Sequence, residues 1–217
     1  MENGFISKKR VVITGTGAMT PLGHNVPDTW ANILAGKSGF GPITQFDSEG
    51  HISGGVCEIK EFDPDEVLGR KEARRRDRYQ QIATVAAAEA MAQSGLKVTD
   101  DNRHRIGVIL GTGVGGIRTL VDMELTLLDK GPRRVSPYGI TMIMPNGAGG
   151  MLAIDYGIHG PTPTIATACA AGSDAIGHAF RRIQYGEIDV ALTGGSESVM
   201  AGVAVAGAAG EEEEVSA

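Results

Sequence analysis

Three stretches of the chain share one cadence, an apolar run that closes on threonine and glycine: Lys9–Gly17 (KRVVITGTG), Arg105–Gly113 (RIGVILGTG) and Val190–Gly195 (VALTGG). Runs that stay apolar without polar alternation predict strands covered on both faces, as in parallel sheets. Between them the spacing turns helical. Val26–Ala35 predicts a helix with Pro27 near its start and Trp30, Ile33 and Leu34 on one face. Arg78–Leu96 predicts a long alanine-rich helix stopped by Gly95, and Ile117–Leu128 predicts another carrying Leu120, Met123 and Leu127–Leu128. Gly36–Gly41 reads as a loop. Ile52–Ile59 reads as a strand with Cys57 as a core residue. Strands alternating with helices place the chain in the α/β class.

The most informative stretch is Pro161–Gln184, PTPTIATACAAGSDAIGHAFRRIQ. Thr162 to Thr167 suit an edge strand, since Pro163 is tolerated there. From Ala170 the apolar residues fall at helical spacing: Ala175, Ile176, Ala179, Phe180 and Ile183. Cys169 therefore sits where strand turns into helix. Backbone N–H groups and the positive end of the helix dipole favour a thiolate there. Its neighbours Ala168, Ala170, Ala171 and Gly172 are all small, leaving room for a substrate and for N–H donors to an oxyanion. A cysteine in a cell interior is more often an inert core residue; the strand–Cys–helix setting points to chemistry instead. His178 lies nine residues along the same helix, about 13 Å by helical rise, too far to serve as its base. It reads, with His24, His51, His104 and His159, as a packing or surface histidine.

Composition narrows the classes. Of 217 residues, 41% are hydrophobic and 21% charged, which is globular. The net charge of −6 owes four units to Glu211–Glu214, so the remainder is near balance and a generally basic nucleic-acid binder is not expected. Cys57 and Cys169 form neither a disulfide framework nor a metal-ligand pattern. No apolar run approaches the roughly 20 residues of a membrane span, and the N-terminal residues lack the apolar core of a signal peptide. The chain reads as cytoplasmic. Nucleotide binding fits poorly: Gly15-x-Gly17 meets Thr20 where a third glycine belongs, and neither that loop nor Gly111–Gly116 has the Lys-Ser/Thr ending of a P-loop.

Basic residues concentrate in Arg70–Arg78 (RKEARRRDR). Helical spacing puts Arg70, Arg74 and Arg78 on one face beside Lys71 and Arg75. A solvated face partly paired with Glu72 and Asp77 is the ordinary role of such a run. A nucleic-acid role is weakened by the scarcity of interleaved aromatics.

The run from Gly160 through Ile165, Ala168-Cys169-Ala170-Ala171-Gly172 and Ile176 resembles the active-site signature of β-ketoacyl synthases, the condensing enzymes of fatty-acid and polyketide synthesis. The chain is most similar to their elongating type II 3-oxoacyl-[acyl-carrier-protein] branch, from about Lys8 to Met200, over the first half of that family's length. The resemblance implies the first half of a thiolase-like α/β fold, a mixed sheet with helices on both faces. It implies Cys169 as the acyl-accepting nucleophile, Val114 and Gly139 beside the acyl pocket, and Lys71, Arg74, Arg75, Arg133 and Arg134 as docking positions for acidic acyl carrier protein. No bound cofactor is implied, because phosphopantetheine arrives on the carrier. A cytoplasmic homodimer and a second half of the fold are implied as well, with neither nucleic acid nor membrane as partner.

Departures from the family pattern cluster in two places. Gly139 stands where a Phe normally closes the neighbouring protomer's pocket, which predicts a wider pocket, and Gly147 replaces a common Met. Arg76 also stands where Met is usual, and a buried charge there needs a partner. The two histidines, the lysine and the Phe beside a glycine-rich loop that complete the family's decarboxylative condensation are not in this sequence. The reading therefore divides the chain into a synthase domain over 1–200 and a low-complexity acidic tail over 201–217, AGVAVAGAAGEEEEVSA, expected to be disordered and consistent with a truncated product. It expects incomplete catalysis by this chain alone. A non-catalytic partner subunit, a polyketide ketosynthase and a coenzyme-A-dependent thiolase stand as alternatives. The cysteine counts against the first, and the arginines against the last.

Overall fold

A computed structural model describes residues 9–50 and 54–216, with side chains as far as residue 209. Its helices are α1 (Val26–Leu34), α2 (Pro64–Leu68), α3 (Arg70–Ala73), α4 (Arg78–Ser94), α5 (Ile117–Lys130), α6 (Gly139–Ile143), α7 (Gly147–Tyr156), α8 (Ala171–Gln184) and α9 (Gly202–Ser216). The strands are β1 (Ile106–Gly111), β2 (Thr164–Ile165) and β3 (Val190–Gly195), in the order β2-β1-β3. The expected α/β layering is present. In place of a mixed sheet, the described strands are all parallel, β1 pairing Leu110 with Thr164 on one side and Ile106 with Val190 on the other.

β1 is buried at every position, as its unbroken apolar run requires. Side-chain alternation divides it between two cores. Ile106, Val108 and Leu110 pack with Tyr79, Ala83 and Ala87 of α4 and Ala148 and Leu152 of α7. Ile109 packs on the opposite face with Ala175 and Ala179 of α8 and with Ile188. Helices thus cover both faces. The alanines of α4 and α8 permit close approach, and Gly95 ends α4 in a left-handed turn at φ 64°. The other apolar edge of α8 is open, with Ile176 50% and Phe180 40% exposed.

Two expectations are corrected. Residues 9–17 form no strand, and Val12 and Ile13 are 60% and 83% exposed. A strand needs a neighbour for its N–H and C=O groups, and none pairs with this segment among the described residues. It lies along α4 instead. Cβ atoms at Gly15 and Gly17 would overlap the Ala90 and Ala86 carbonyls, and Gln93 accepts the Thr16 N–H at 2.6 Å. Nor is Cys57 in a core strand. It is exposed beside a lone bridge between Gly41 and Val56, while its neighbour Glu58 turns inward to accept the Thr44 N–H at 3.1 Å. Ile52 lies outside the described residues. Residues Gly202–Ser216 form α9, which follows buried Ala201 and carries buried Val205 in its first turn.

Candidate active site and basic surface

The C-terminal ends of β1 and β3 converge under the start of α8, and three glycines make the approach possible. A Cβ at Gly111 would overlap the Ala171 carbonyl, and one at Gly195 would lie 2.7 Å from Gly172 Cα. The chain leaves β2 through a 3₁₀ turn, Ala168–Ala170, and enters α8 directly. Ala168 has φ 49°, a left-handed conformation that costs an L-residue roughly 1–3 kcal/mol and is held by the packing around it. Cys169 is exposed at the crest of this turn, ahead of the first α8 N–H groups. Thr167 Oγ1 donates to Asp174 Oδ2 at 2.7 Å, tying the approach to the first turn of the helix. An accessible thiol with bare flanks, at a helix start above the strand ends, can attack an electrophilic carbonyl. His178 is exposed further along α8, as expected.

A second loop closes one side of this crest. Thr112 to Gly116 turn between β1 and α5, and their polar groups converge on Glu197 just beyond β3. Its carboxylate accepts from Gly113 N, from Val114 N at 3.2 Å and from Thr112 Oγ1 at 3.0 Å. A Cβ at Gly113 would lie 3.4 Å from Ala168 Cα, so this loop flanks the cysteine turn. Val114 is 48% exposed beside it. Gly139 lies at the other end of the α5–α6 pair and is buried. The space a side chain would occupy there is filled by the Met123 thioether. The Met123 thioether of α5 therefore takes up the space beside Gly139 within this chain. Gly147 is filled in the same way by Gln80, whose Nε2 donates to the Thr141 carbonyl at 2.9 Å.

The basic run does not form one helical face. α3 ends at Ala73, and Asp77, with φ −63° and ψ 162°, starts α4 as an N-cap in a reciprocal capping box with Gln80. Asp77 is buried, which pushes its carboxyl up, while bonds from Thr119 Oγ1 at 2.6 Å and from Tyr79 N at 3.1 Å oppose the shift. It therefore joins α4 to the first turn of α5 and is not a surface partner for arginine. Arg78 stacks on Phe62 at 4.4 Å, away from the others. Arg76 is buried and bonded to Asp155, which raises its pKa and supplies the partner that a buried charge needs. The remaining cations do gather. Arg70, Lys71, Arg74 and Arg75 line an open pocket of about 400 Å³ together with Tyr138. Arg133 and Arg134 are exposed in a 3₁₀ turn, Pro132–Arg134, outside that lining.

The family model for the β-ketoacyl synthase N-terminal domain matches residues 8–210. The chain belongs to the β-ketoacyl synthase family. Over 202 residues this synthase domain is 44% identical to 3-oxoacyl-[acyl-carrier-protein] synthase 2 of Synechocystis, covering 93% of the chain and 49% of the relative. It is 45% identical over 199 residues to the protein of that name in Staphylococcus aureus strain N315, covering 92% of the chain and 48% of the relative. The chain thus spans about half the length of the curated relatives it matches. Among solved structures, the ishigamide ketosynthase/chain length factor aligns with TM-score 0.79 and 31% identity over 88% of this chain and 48% of that one. A type II polyketide ketosynthase bound to a hexaketide, in complex with its acyl carrier protein, aligns with TM-score 0.76 and 26% identity over 93% of this chain and 54% of that one. The thiolase-like fold of the synthase domain follows from these matches.

Sequence reasoning missed four residues that shape this domain's surface and site: Tyr138, Met123, Glu197 and Asp155. Asp155 carried a signal, as the one charge within the apolar stretch MLAIDY. The other three act through contacts between distant segments and had none.

Proposed function

We propose that this chain carries the acyl-accepting half of a 3-oxoacyl-[acyl-carrier-protein] synthase of fatty-acid synthesis. The observation that carries the reading is Cys169, exposed on the turn into α8 with alanines on either side. Its thiolate attacks the thioester carbonyl of a carrier-bound acyl group. The oxyanion is met by N–H groups at the helix start, the Cys169 N–H among them. The carrier's phosphopantetheine thiolate leaves and takes up the proton that Cys169 gave up, so one thioester replaces another. Condensation then consumes malonyl-carrier, with loss of CO₂.

Val114 and Gly139 lie beside the acyl chain in this reading, with Met123 shaping the Gly139 end. Lys71, Arg74 and Arg75 dock the acidic carrier, with Arg70 added by the pocket and Arg133 and Arg134 as a separate patch. Such patches raise the on-rate and weaken with salt. Greater identity to the 3-oxoacyl-[acyl-carrier-protein] synthases, 44–45%, than to the type II polyketide ketosynthase, 26%, supports the fatty-acid branch. Cytoplasmic location and a homodimer go with it. The exposed Ile176 and Phe180 on α8 suit cover by the second half of the fold. No described helix is long and apolar enough to cross a membrane.

The test separates acyl transfer from turnover. The purified 217-residue chain, given acyl-carrier and then malonyl-carrier, is expected to become acylated on Cys169 without releasing 3-oxoacyl-carrier. Release of condensed product would show that these residues suffice and would contradict the half-site reading.

A further inference from the structure

The cations of the basic pocket are not equivalent. Arg75 alone among them is held by an aromatic ring. Its guanidinium lies 5.0 Å from the centroid of Tyr138, Nη2 donates to Tyr138 Oη at 3.3 Å, and Nη1 is 3.7 Å from Glu72 Oε1. A guanidinium held against a ring loses rotamer freedom in advance, so less ordering remains to be done when an anion arrives. Tyr138 is 42% exposed and lines the pocket itself, 63 residues along the chain from Arg75.

We propose that Tyr138 is a positioning residue that fixes Arg75 as the preorganised anchor of the basic pocket for an acidic carrier protein. This rests on the docking reading given above. Tyr138 carries no charge, so it adds specificity of geometry without adding to long-range attraction. Arg70, Lys71 and Arg74 supply the field, whereas the Arg75–Tyr138 pair fixes where one carboxylate or phosphate of the partner must sit. Loss of Tyr138 therefore acts on dissociation, and loss of Arg74 acts on association and on salt dependence.

The experiment measures the dissociation constant of holo-acyl carrier protein from Synechocystis for the full chain at low and moderate salt. The parent is compared with Arg74→Ala, Arg75→Ala, Tyr138→Phe, Tyr138→Leu and the Arg75→Ala/Tyr138→Leu double variant. Tyr138→Leu is expected to weaken binding about fivefold with an unchanged salt slope, and Tyr138→Phe about twofold because the ring stays. In the Arg75→Ala background, Tyr138→Leu is expected to cost nothing further, since it acts only through that arginine. Arg74→Ala is expected to weaken binding and flatten the salt slope. If Arg74→Ala weakens binding while Tyr138→Leu does not, or if the Tyr138 effect persists without Arg75, the positioning role is overturned and docking stands. If none of the arginine variants changes affinity, the docking reading falls and this role with it.

Discussion

Arg76 donates both terminal nitrogens to Asp155 at 2.7 Å from a side chain only 4% exposed. The pair ties the turn before α4 to α7, across 79 residues of sequence. Thr84 Oγ1 at 2.9 Å completes the set on one nitrogen, and Glu72 lies 3.5 Å from the other. Removing one partner strands a buried charge. Asp155→Ala is expected to lower stability by about 3 kcal/mol, read as a fall in urea midpoint at constant slope. The Arg76→Met/Asp155→Leu double variant is expected to recover most of that loss. A double variant as unstable as Asp155→Ala would show that the pair does more than neutralise itself.

The glycines under Cys169 make a second prediction. At Gly111 any Cβ collides with the Ala171 carbonyl, which is backbone and cannot rotate aside. Gly111→Ala is expected to cost about 2 kcal/mol through overpacking and to displace the start of α8. The alkylation rate of Cys169 by iodoacetamide should change while that of Cys57, exposed elsewhere on the chain, does not. Equal rates in parent and variant at both thiols would detach the cysteine turn from the glycine cradle.

Met123 and Gly139 form a complementary pair. Gly139→Ala pushes on the thioether and is expected to destabilise by about 1–2 kcal/mol. In a Met123→Ala background the same substitution should be close to neutral, since the space is then vacant. Thermal unfolding of the four proteins checks this. An unrelieved penalty would mean that the clash lies with another neighbour.

Asp189 gives a pH dependence with a definite sign. Arg105 foremost, with Lys9, holds its carboxyl well below the usual carboxylate range. In the unfolded chain it titrates near pH ~4. The depressed folded value means that its contribution is complete above about pH 4 and is lost as acidification approaches the folded-state pKa. Asp189→Asn should be less stable than the parent at neutral pH, with the gap closing below about pH 4. Because the carboxylate is half exposed, high salt should narrow the gap as well. A gap that widens in acid would reverse the assignment.

How much of this was legible in the sequence depends on the range of each signal. β1 was readable because burial on both faces writes itself into consecutive residues, and β3 repeats its apolar cadence although it is only half-buried. The Cys169 turn was readable because strand, small residues and helix follow one another directly. Residues 9–17 carry the same apolar cadence, yet cadence reports a demand for cover and does not say what supplies it. Val12 and Ile13 show that demand unmet among the described residues. The break at Asp77 was written in the sequence as Asp-x-x-Gln, the signature of a helix start, but the charges around it suggested one continuous helix. Tyr138 on Arg75 and Met123 on Gly139 join segments that only the folded chain brings together.

The central claim is that Cys169 is the thiol that accepts an acyl group from a carrier. Cys57, also exposed but away from any helix start, serves as the internal comparison. The direct measurement is peptide-resolved mass spectrometry after mixing the chain with acyl-acyl carrier protein. The account predicts a thioester-linked acyl mass on the Cys169 peptide alone, removable by neutral hydroxylamine and abolished in Cys169→Ala. Acylation of both cysteines at similar rates, or of neither, would contradict it.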